Sequence, residues 1–256
     1  MCELFGTTGK KRRRINESLK TFFEHGAVHK DGWGIAFFDS GAPLRERGVE
    51  SASESARIKE LLANDLLAAN MLAHIRYASC GVRRVENCHP FVLSDASGRF
   101  WTLIHNGAMV AGPRVDRFKD AQPGDTDSER VLYCLVDAID RRTEQTGRAL
   151  TEKERFDALD ETICEISRDN PLNLLFYDGD VLYAHRNSNN VHTKDEVSLY
   201  MKAADDSITF STVPLDDAVR WEPVPGTRLL AYRDGEALFT GTDHGNYTFV
   251  DFDLSE

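Results

Sequence analysis

Apolar residues recur along the chain with two periods, one typical of strands and the other of helices. Continuous apolar runs such as CELFGTT, WGIAFF and NLLFYDGDVLYAHR are typical of buried strands. The last of these predicts a hairpin that turns at Asp178–Gly179. Apolar positions three or four residues apart predict four helices, over residues 16–26, 54–67, 126–142 and 153–168. In the first of them Asn16 is the candidate N-cap and Gly26 the end.

Hairpins dominate the last third of the chain, where strand patterns follow one another without intervening helices. Strands joined in this way form antiparallel sheets. Two groups of strands with helices between them predict an α+β fold of two stacked sheets flanked by helices. The sequence has no internal repeat, low-complexity tract or Pro/Gly linker, so a single domain over residues 1–256 is expected.

The charge of the chain argues against nucleic acid as a partner. Its 256 residues carry a formal net charge of −11, whereas phosphate contacts need a basic surface. The basic run at residues 10–14 is interpreted as a solvated loop, with an anionic partner or a subunit contact as the alternative. No apolar run approaches the roughly 20 residues that span a bilayer, so no membrane association is expected.

Five cysteines are scattered along the chain, at positions 2, 80, 88, 134 and 164. An odd number without regular spacing, and without a signal peptide, indicates reduced thiols in the cytoplasm rather than a disulfide framework. Neither a CxxC pair nor an HExxH motif is present, so no metal and no other cofactor is expected.

Cys2 stands directly after the initiator methionine, where methionine aminopeptidase accepts a small next residue. The processed chain would begin with a thiol and a free α-amine on one residue. An α-amine has a pKa of about 7.7–8.0, so it can take the thiol proton directly or through a water molecule. Cys2 is therefore a candidate nucleophile, and the alternative is a small buried residue of the first strand.

Other polar residues stand at the ends of predicted strands and helices. Arg76 ends a strand in HIRYAS, and its guanidinium suits bidentate capture of a carboxylate, with a surface role as the alternative. Asn106 and Gly107 follow another strand, where an amide and a backbone N–H can hold an oxyanion or simply form a turn. Asp125 and Asp127 lie at a helix start, where capping leaves a second carboxylate free to meet an amine.

Together and in this order, Cys2 and the motifs DGWG, HIRYAS, NCHP, HNG and DTDSE resemble the class II glutamine amidotransferases. These proteins belong to the N-terminal-nucleophile (Ntn) hydrolases. The resemblance covers the chain through about residue 135 and continues more loosely to the C-terminus. It implies a four-layer αββα sandwich of two mainly antiparallel sheets, in agreement with the pattern of elements. It also implies an enzyme that releases ammonia from the side chain of glutamine.

The resemblance implies a role for each of five residues. Cys2 would attack the side-chain amide of glutamine and form a γ-glutamyl thioester. Asn106, through its side chain, and Gly107, through its N–H, would hold the oxyanion. Arg76 would bind the substrate α-carboxylate and Asp127 its α-ammonium group, which positions the amide for attack.

Three further residues take supporting roles in the same resemblance. Ser79 would supply a hydroxyl near the substrate, His89 would shape the wall of the cleft, and Gly34 would approach the nucleophile. Where family members often have Arg-Gly ahead of the DGWG loop, this chain has His29 and Lys30. That departure bears on the shape of the substrate pocket.

Three functions are compatible with these observations. The first is a glutamine amidohydrolase whose ammonia is released or passes to a separate synthase subunit, since 256 residues hold no synthase domain. The second is a hydrolase of another γ-glutamyl amide, as in ergothioneine biosynthesis, which a wider pocket near His29 would favour. The third is a catalytically silent subunit with the same fold, against which the presence of Cys2, Asn106 and Asp127 argues.

Overall fold

The computed structural model describes residues 2–39, 41–78, 81–109, 112–190 and 198–250. The helices in these ranges are α1 (Asn16–Glu24), α2 (Ala56–Ala63), α3 (Pro113–Asp116), α4 (Asp127–Thr146) and α5 (Glu152–Ile166). Short 3₁₀ turns occur at His25–Ala27 and Val85–Asn87. The four long helical patterns of the sequence therefore correspond to α1, α2, α4 and α5.

The strands follow the apolar runs closely. They are β1 (Glu3–Gly9), β2 (Arg13–Arg14), β3 (Trp33–Phe37), β4 (Leu44–Gly48), β5 (Leu67–Ala68), β6 (Met71–Ile75), β7 (Phe91–Ser94), β8 (Phe100–Gly107), β9 (Leu172–Tyr177), β10 (Leu182–His185), β11 (Ser188–Asn190), β12 (Tyr200–Ala204), β13 (Ser207–Ser211), β14 (Glu222–Pro223), β15 (Leu229–Arg233), β16 (Glu236–Thr240) and β17 (Thr248–Val250).

Two large sheets organise the molecule. The first has seven strands in the order β14-β12-β13-β1-β6-β3-β4, and the second has six in the order β16-β15-β10-β9-β8-β7. Every neighbouring pair in both sheets is antiparallel. The small pair β11-β17 is parallel, and β2 pairs with β5. The prediction of two mainly antiparallel sheets is confirmed.

Three apolar layers hold the sheets and helices together. One lies between α1, α2 and the seven-stranded sheet, and includes Phe22 and Ile35. A second lies between α4, α5 and the six-stranded sheet, and includes Leu132 and Leu159. The third is formed by inward-facing residues of both sheets. The order helix–sheet–sheet–helix is the αββα sandwich that the sequence resemblance implied.

Neighbouring residues on the central strands belong to different layers. On β1, Leu4 faces the other sheet while Phe5 packs under the helices, and on β8 the same alternation separates Ile104 from Leu103. Side chains on a strand alternate between its two faces, and here both faces are covered. This is why the strands appear in the sequence as continuous apolar runs rather than as alternating ones.

The structure confirms a side-chain cap at the start of α4 and corrects the cap that was expected at the start of α1. Thr126 caps α4, accepting a hydrogen bond from the Glu129 N–H at 3.3 Å, so Asp127 is the first helical residue. Asn16 does not cap α1, because the N-cap is Ile15 and no side chain bonds there. The Asn16 amide instead donates to the carbonyl oxygens of residues 62 and 64, which tie α1 to the end of α2.

The predicted turn at Asp178–Gly179 is present, and Asp178 organises it. Its carboxylate accepts hydrogen bonds from the Asp180 and Val181 N–H groups at 2.9 and 2.7 Å. The buried guanidinium of Arg155 donates to the same carboxylate at 2.8 Å. Gly179 has φ of +89°, a conformation that favours glycine.

The basic run at residues 10–14 is largely neutralised within the fold. Three of its side chains form ion pairs with acidic residues of other segments: Lys10 with Glu236, Arg12 with Asp39, and Arg14 with Asp65. Arg13 donates to hydroxyl groups of the seven-stranded sheet. Such pairing agrees with a solvated loop better than with an anion-binding surface. In the part of the chain that the structure describes, no helix is long and apolar enough to cross a bilayer.

Candidate active site

Cys2 directly precedes β1, and its thiol lies beside the backbone of Tyr77. The Sγ atom donates to the Tyr77 carbonyl and accepts from the Tyr77 N–H, each at 3.4 Å. Burial raises the pKa of the Cys2 thiol, and the Tyr77 hydrogen bond and the charge of Arg76 oppose that change. The resting thiol is therefore protonated at neutral pH and needs a base before it can act as a nucleophile.

Arg76 follows directly after β6 and is buried, with 3% of its surface exposed. Its N–H donates to the Gly32 carbonyl at 2.8 Å, and its carbonyl accepts from the Asp31 N–H at 3.0 Å. The guanidinium donates to the carbonyl oxygens of Asp31 and Gly81 at 3.4 and 3.1 Å. The surface role considered for this arginine is therefore wrong, and the DGWG segment holds its side chain in place.

Asn106 and Gly107 form the last two positions of β8. The Asn106 side chain is buried, and its amide nitrogen Nδ2 has no hydrogen-bond partner among the described residues. A Cβ atom on Gly107 would lie 2.0 Å from the carbonyl oxygen of Pro171, so only glycine fits there. An unpaired buried donor is costly, which suggests that its partner is a ligand.

Asp127 begins α4 next to the end of β8. Its Oδ2 accepts the Met109 N–H at 2.6 Å, and its Oδ1 accepts the Ser128 N–H at 2.9 Å. The Met109 contact joins the carboxylate to the segment that continues from Gly107. The neighbouring Asp125 is engaged elsewhere, since its Oδ1 accepts from the Asn87 side chain at 2.6 Å.

These residues converge where the two sheets meet. Cys2 directly precedes β1, and Arg76 directly follows β6. Both strands contact β8 across the interface between the sheets. The charges of Arg76 and Asp127 both act on the Cys2 thiol, the first lowering and the second raising its pKa. A thiol, a guanidinium and a carboxylate from three separate chain segments therefore surround one region.

His89 and Gly34 lie close to each other. His89 is buried, and its ring lies 4.0 Å from the His74 ring and 4.4 Å from the Phe91 ring, centroid to centroid. A Cβ on Gly34 would lie 1.9 Å from the His89 carbonyl oxygen, so this glycine lets the His89–Pro90 segment approach β3. Burial holds the pKa of His89 well below its usual value. Contact of either residue with substrate stays a prediction.

His29 stands where this chain departs from the family pattern and where a wider pocket would favour another γ-glutamyl substrate. His29 is buried, and its Nε2 lies 3.2 Å from the carboxylate of Glu3, the residue after Cys2. The other carboxylate oxygen bonds His25 Nδ1 at 2.8 Å. The His29 side chain thus makes a polar contact with Glu3. Its ring centroid lies 6.2 Å from that of Tyr77. Its contacts do not indicate an enlarged pocket.

Ser79, the predicted hydroxyl near the substrate, lies outside the described residues. Tyr77 and His105 were not singled out as site residues from the sequence. Tyr77 acts through its backbone, which leaves no trace in residue type. His105 stands inside HNG, and only its distances to other groups show what it does. Among the described residues, no group of three or more His, Cys, Asp or Glu side chains is arranged to hold a metal ion.

Comparison with known proteins agrees with this arrangement. Residues 1–198 match the family described as class II glutamine amidotransferases. The chain belongs to the class II glutamine amidotransferases. The match includes every residue that the sequence motifs assigned to the site, and it ends just before β12.

Individual relatives of this amidotransferase are distant. An uncharacterized protein of Methanocaldococcus jannaschii is 32% identical over 189 residues, which are 73% of this chain and 51% of that protein. The chain thus spans about half the length of that relative. A putative glutamine amidotransferase of Haemophilus influenzae is 27% identical, covering 93% of this chain and 86% of its own. A gamma-glutamyl-hercynylcysteine sulfoxide hydrolase of Mycobacterium tuberculosis is also 27% identical, covering 86% and 82%.

Solved structures share the fold. A predicted glutamine amidotransferase from Pseudomonas aeruginosa superposes with a TM-score of 0.61 at 21% identity, over 93% of this chain and 100% of that one. The glutamine phosphoribosylpyrophosphate amidotransferase of B. subtilis superposes with a TM-score of 0.65 at 15% identity, over 93% of this chain and 48% of that one. The sandwich of this amidotransferase is therefore the Ntn-hydrolase fold.

Proposed function

We propose that the protein hydrolyses the side-chain amide of glutamine through a γ-glutamyl thioester on Cys2. The observation that carries the proposal is the buried amide nitrogen of Asn106, which has no hydrogen-bond partner in the part of the chain that the structure describes, at the strand end that also holds Gly107. A donor of this kind suits an oxyanion that exists only during the reaction. The charges of Arg76 and Asp127 both act on the Cys2 thiol, which supports a shared site.

The first step needs a base for the thiol. Burial raises the pKa of Cys2, so the thiol holds its proton at neutral pH. Removal of the residue that precedes Cys2 would free an α-amine with a pKa of about 8, which can take that proton. The thiolate then adds to the amide carbon of glutamine. The C–O double bond opens to an oxyanion, which accepts hydrogen bonds from Asn106 Nδ2 and the Gly107 N–H.

The second step breaks the carbon–nitrogen bond. The protonated α-amine of Cys2 gives its proton to the departing nitrogen, and ammonia leaves as the carbonyl re-forms in the thioester. Water then adds to the thioester carbon and expels the thiol of Cys2. The products are glutamate and ammonia, and the enzyme returns to its starting state. No redox partner or cofactor enters this balance.

Arg76 and Asp127 would hold the amino-acid end of the substrate. A guanidinium fork matches a carboxylate, and a carboxylate that already accepts two backbone N–H groups retains lone pairs for an ammonium group. Fixing both charges places the amide next to Cys2. A substrate without either charge would lose the corresponding ion pair, so it should react poorly.

The extent and location of the protein are part of the proposal. Residues after 198 would complete the same domain, because β13 pairs with β1 and β15 pairs with β10. The cysteines that the structure describes are free thiols, which supports a reducing compartment such as the cytoplasm. Ammonia would be released or taken up by a separate synthase subunit.

A second candidate is hydrolysis of another γ-glutamyl amide. The similarity to the mycobacterial gamma-glutamyl-hercynylcysteine sulfoxide hydrolase favours it, since that relative is matched over most of both chains. Arg76 and Asp127 would bind the γ-glutamyl head of either substrate.

Release of glutamate and ammonia from glutamine tests the proposal directly. Wild type, Cys2→Ala and Cys164→Ala are compared, the last because it makes the same substitution at a half-buried thiol on α5. Activity should be lost only in Cys2→Ala. A panel of γ-glutamyl amides then ranks the two substrate classes by kcat/KM. A wild-type protein with verified Met1 removal that releases no more glutamate than Cys2→Ala would support the silent-subunit alternative.

A further inference from the structure

His105 lies on β8 immediately before Asn106, and its ring is 1% exposed. Successive side chains of a strand point to opposite faces, so His105 faces the helix layer and Asn106 faces the other sheet. Its ring reaches two different elements. Nδ1 lies 2.9 Å from the Ser128 hydroxyl on α4, and Nε2 lies 3.3 Å from the Pro171 carbonyl oxygen just before β9.

These two contacts define which ring nitrogen carries the proton. A carbonyl oxygen only accepts hydrogen bonds, so Nε2 must be the N–H donor to Pro171. Burial lowers the pKa of His105, which keeps the ring neutral. In a neutral ring with Nε2 protonated, Nδ1 accepts, and the Ser128 hydroxyl is its donor. Each ring nitrogen therefore makes one hydrogen bond of defined direction, and we call these two bonds the Pro171 arm and the Ser128 arm.

The Pro171 arm ends at the proposed oxyanion site. The same carbonyl oxygen accepts the Ala108 N–H at 3.2 Å, and it lies 2.0 Å from where a Cβ of Gly107 would be. The position of Pro171 thus determines how the backbone at Gly107 is placed. Loss of the bond from His105 would release one of the two donors that hold this carbonyl.

The Ser128 arm ends at the proposed ammonium site. Ser128 follows Asp127 on the first turn of α4, and its N–H donates to Asp127 Oδ1 at 2.9 Å. The hydroxyl of the same residue donates to His105 at 2.9 Å, a shorter contact than the 3.5 Å that separates it from Asp127 Oδ1. Anchoring Ser128 therefore restricts the first turn of the helix and, with it, the carboxylate of Asp127.

We infer that His105 is a positioning residue that sets the oxyanion donors and the ammonium-binding carboxylate at a fixed spacing. This inference rests on the proposed function and deepens it, because it assigns one side chain to two parts of the same site. The Pro171 arm positions the oxyanion donors, so its loss should lower kcat. The Ser128 arm positions the carboxylate of Asp127, which would bind the α-ammonium group of the substrate, so its loss should raise KM.

Two amide substitutions separate the arms. In His105→Asn the side-chain oxygen can replace Nδ1 and keep the Ser128 bond, while the Pro171 bond is lost. In His105→Gln the longer side chain can bring its NH₂ group to Pro171, while the Ser128 bond is lost. We expect kcat to fall about 3- to 10-fold in His105→Asn with little change in KM, the range for one neutral hydrogen bond. In His105→Gln we expect KM to rise by a similar factor with little change in kcat.

Ser128→Ala gives an independent check on one arm. It should raise KM in the wild-type background and add nothing further in His105→Gln, because the bond that it removes is already absent there. Ser167→Ala is the matched control, since Ser167 is a buried serine at the end of α5 whose hydroxyl donates to Cys164. It should leave kcat and KM unchanged.

Binding of glutamate, the product, tests the inference without turnover. By titration calorimetry, the Kd for glutamate should rise about 3- to 10-fold in His105→Gln and stay near the wild-type value in His105→Asn. The ¹⁵N shifts of the His105 ring should identify the Nε2-protonated tautomer. Equal effects of both variants on kcat, KM and Kd in folded protein, or an Nδ1-protonated ring, would overturn the inference. Failure of the proposed function alone would instead appear as wild-type glutamate binding without Cys2-dependent turnover.

Discussion

Gly107→Ala should disable the proposed oxyanion site by displacing it. The added Cβ would lie 2.0 Å from the Pro171 carbonyl oxygen and 2.6 Å from His105 Nε2, whereas real contacts begin near 3.0 Å. The end of β8 must therefore move by about 1 Å, because Pro171 is already held by His105 and by the Ala108 N–H. Misplacement by about 1 Å can cost roughly 100-fold in rate. Overpacking of this kind also costs about 1–3 kcal/mol of stability.

The assay is steady-state glutaminase activity of protein whose folded fraction has been measured by urea unfolding. Gly6→Ala is the control, because its Cβ would also be crowded, at 2.9 Å from Leu72 and 3.0 Å from Leu175, but within the central apolar layer. We expect Gly6→Ala to lose stability while its kcat per folded molecule stays normal. A Gly107→Ala protein that keeps wild-type kcat would refute the placement of the oxyanion site.

Three further predictions follow from buried polar groups. Asn106→Leu should lower kcat about 100- to 1,000-fold without lowering the urea midpoint, because it removes an unpartnered buried amide. Burial, and then the neighbouring His244, lower the pKa of His185 to about 3, so its contribution to stability is present above pH 6.5 and is lost as pH falls toward 3. Between pH 7 and pH 5, urea unfolding should show about 2 kcal/mol less loss in His185→Leu than in the wild type, whose other buried histidines, such as His89 and His105, also have lowered pKa values. Arg155→Met should cost about 3–5 kcal/mol by the same measurement, because it removes the buried cation that bonds the fully buried carboxylate of Asp178 and leaves Arg99, 3.7 Å away and partly exposed, as its ion-pair partner; an unchanged midpoint would contradict that.

Much of the fold could be predicted from the sequence because its signals are local. The alternation that places Leu174 and Leu175 in different layers makes β9 an almost continuous apolar run, LNLLFY, and such runs identify the central strands. The helical patterns were recognised for the same reason. The cap of α1 was assigned wrongly, since Asn16 is an equally good partner for the distant carbonyl groups at the end of α2. Choices between local and distant partners are decided by packing.

The candidate site shows the same limit. Cys2, Arg76, Asn106 and Asp127 were found because their residue types and order match a known family. The contacts of Tyr77 with the thiol and of His105 with two elements depend on tertiary distances that no spacing along the chain reveals. The sequence shows only that a histidine stands at position 29, and the contact of His29 with Glu3 depends on how the chain folds back on itself.

Trapping of the covalent intermediate tests the central claim most directly. Protein with verified Met1 removal is mixed with glutamine, quenched in acid and digested, and the peptide that begins with Cys2 is analysed by mass spectrometry. Our account predicts that this peptide gains one γ-glutamyl group, that hydroxylamine removes it, and that Cys164→Ala behaves identically. Turnover of glutamine with the label on another residue, or with none on Cys2 under conditions that stabilise thioesters, would contradict the account.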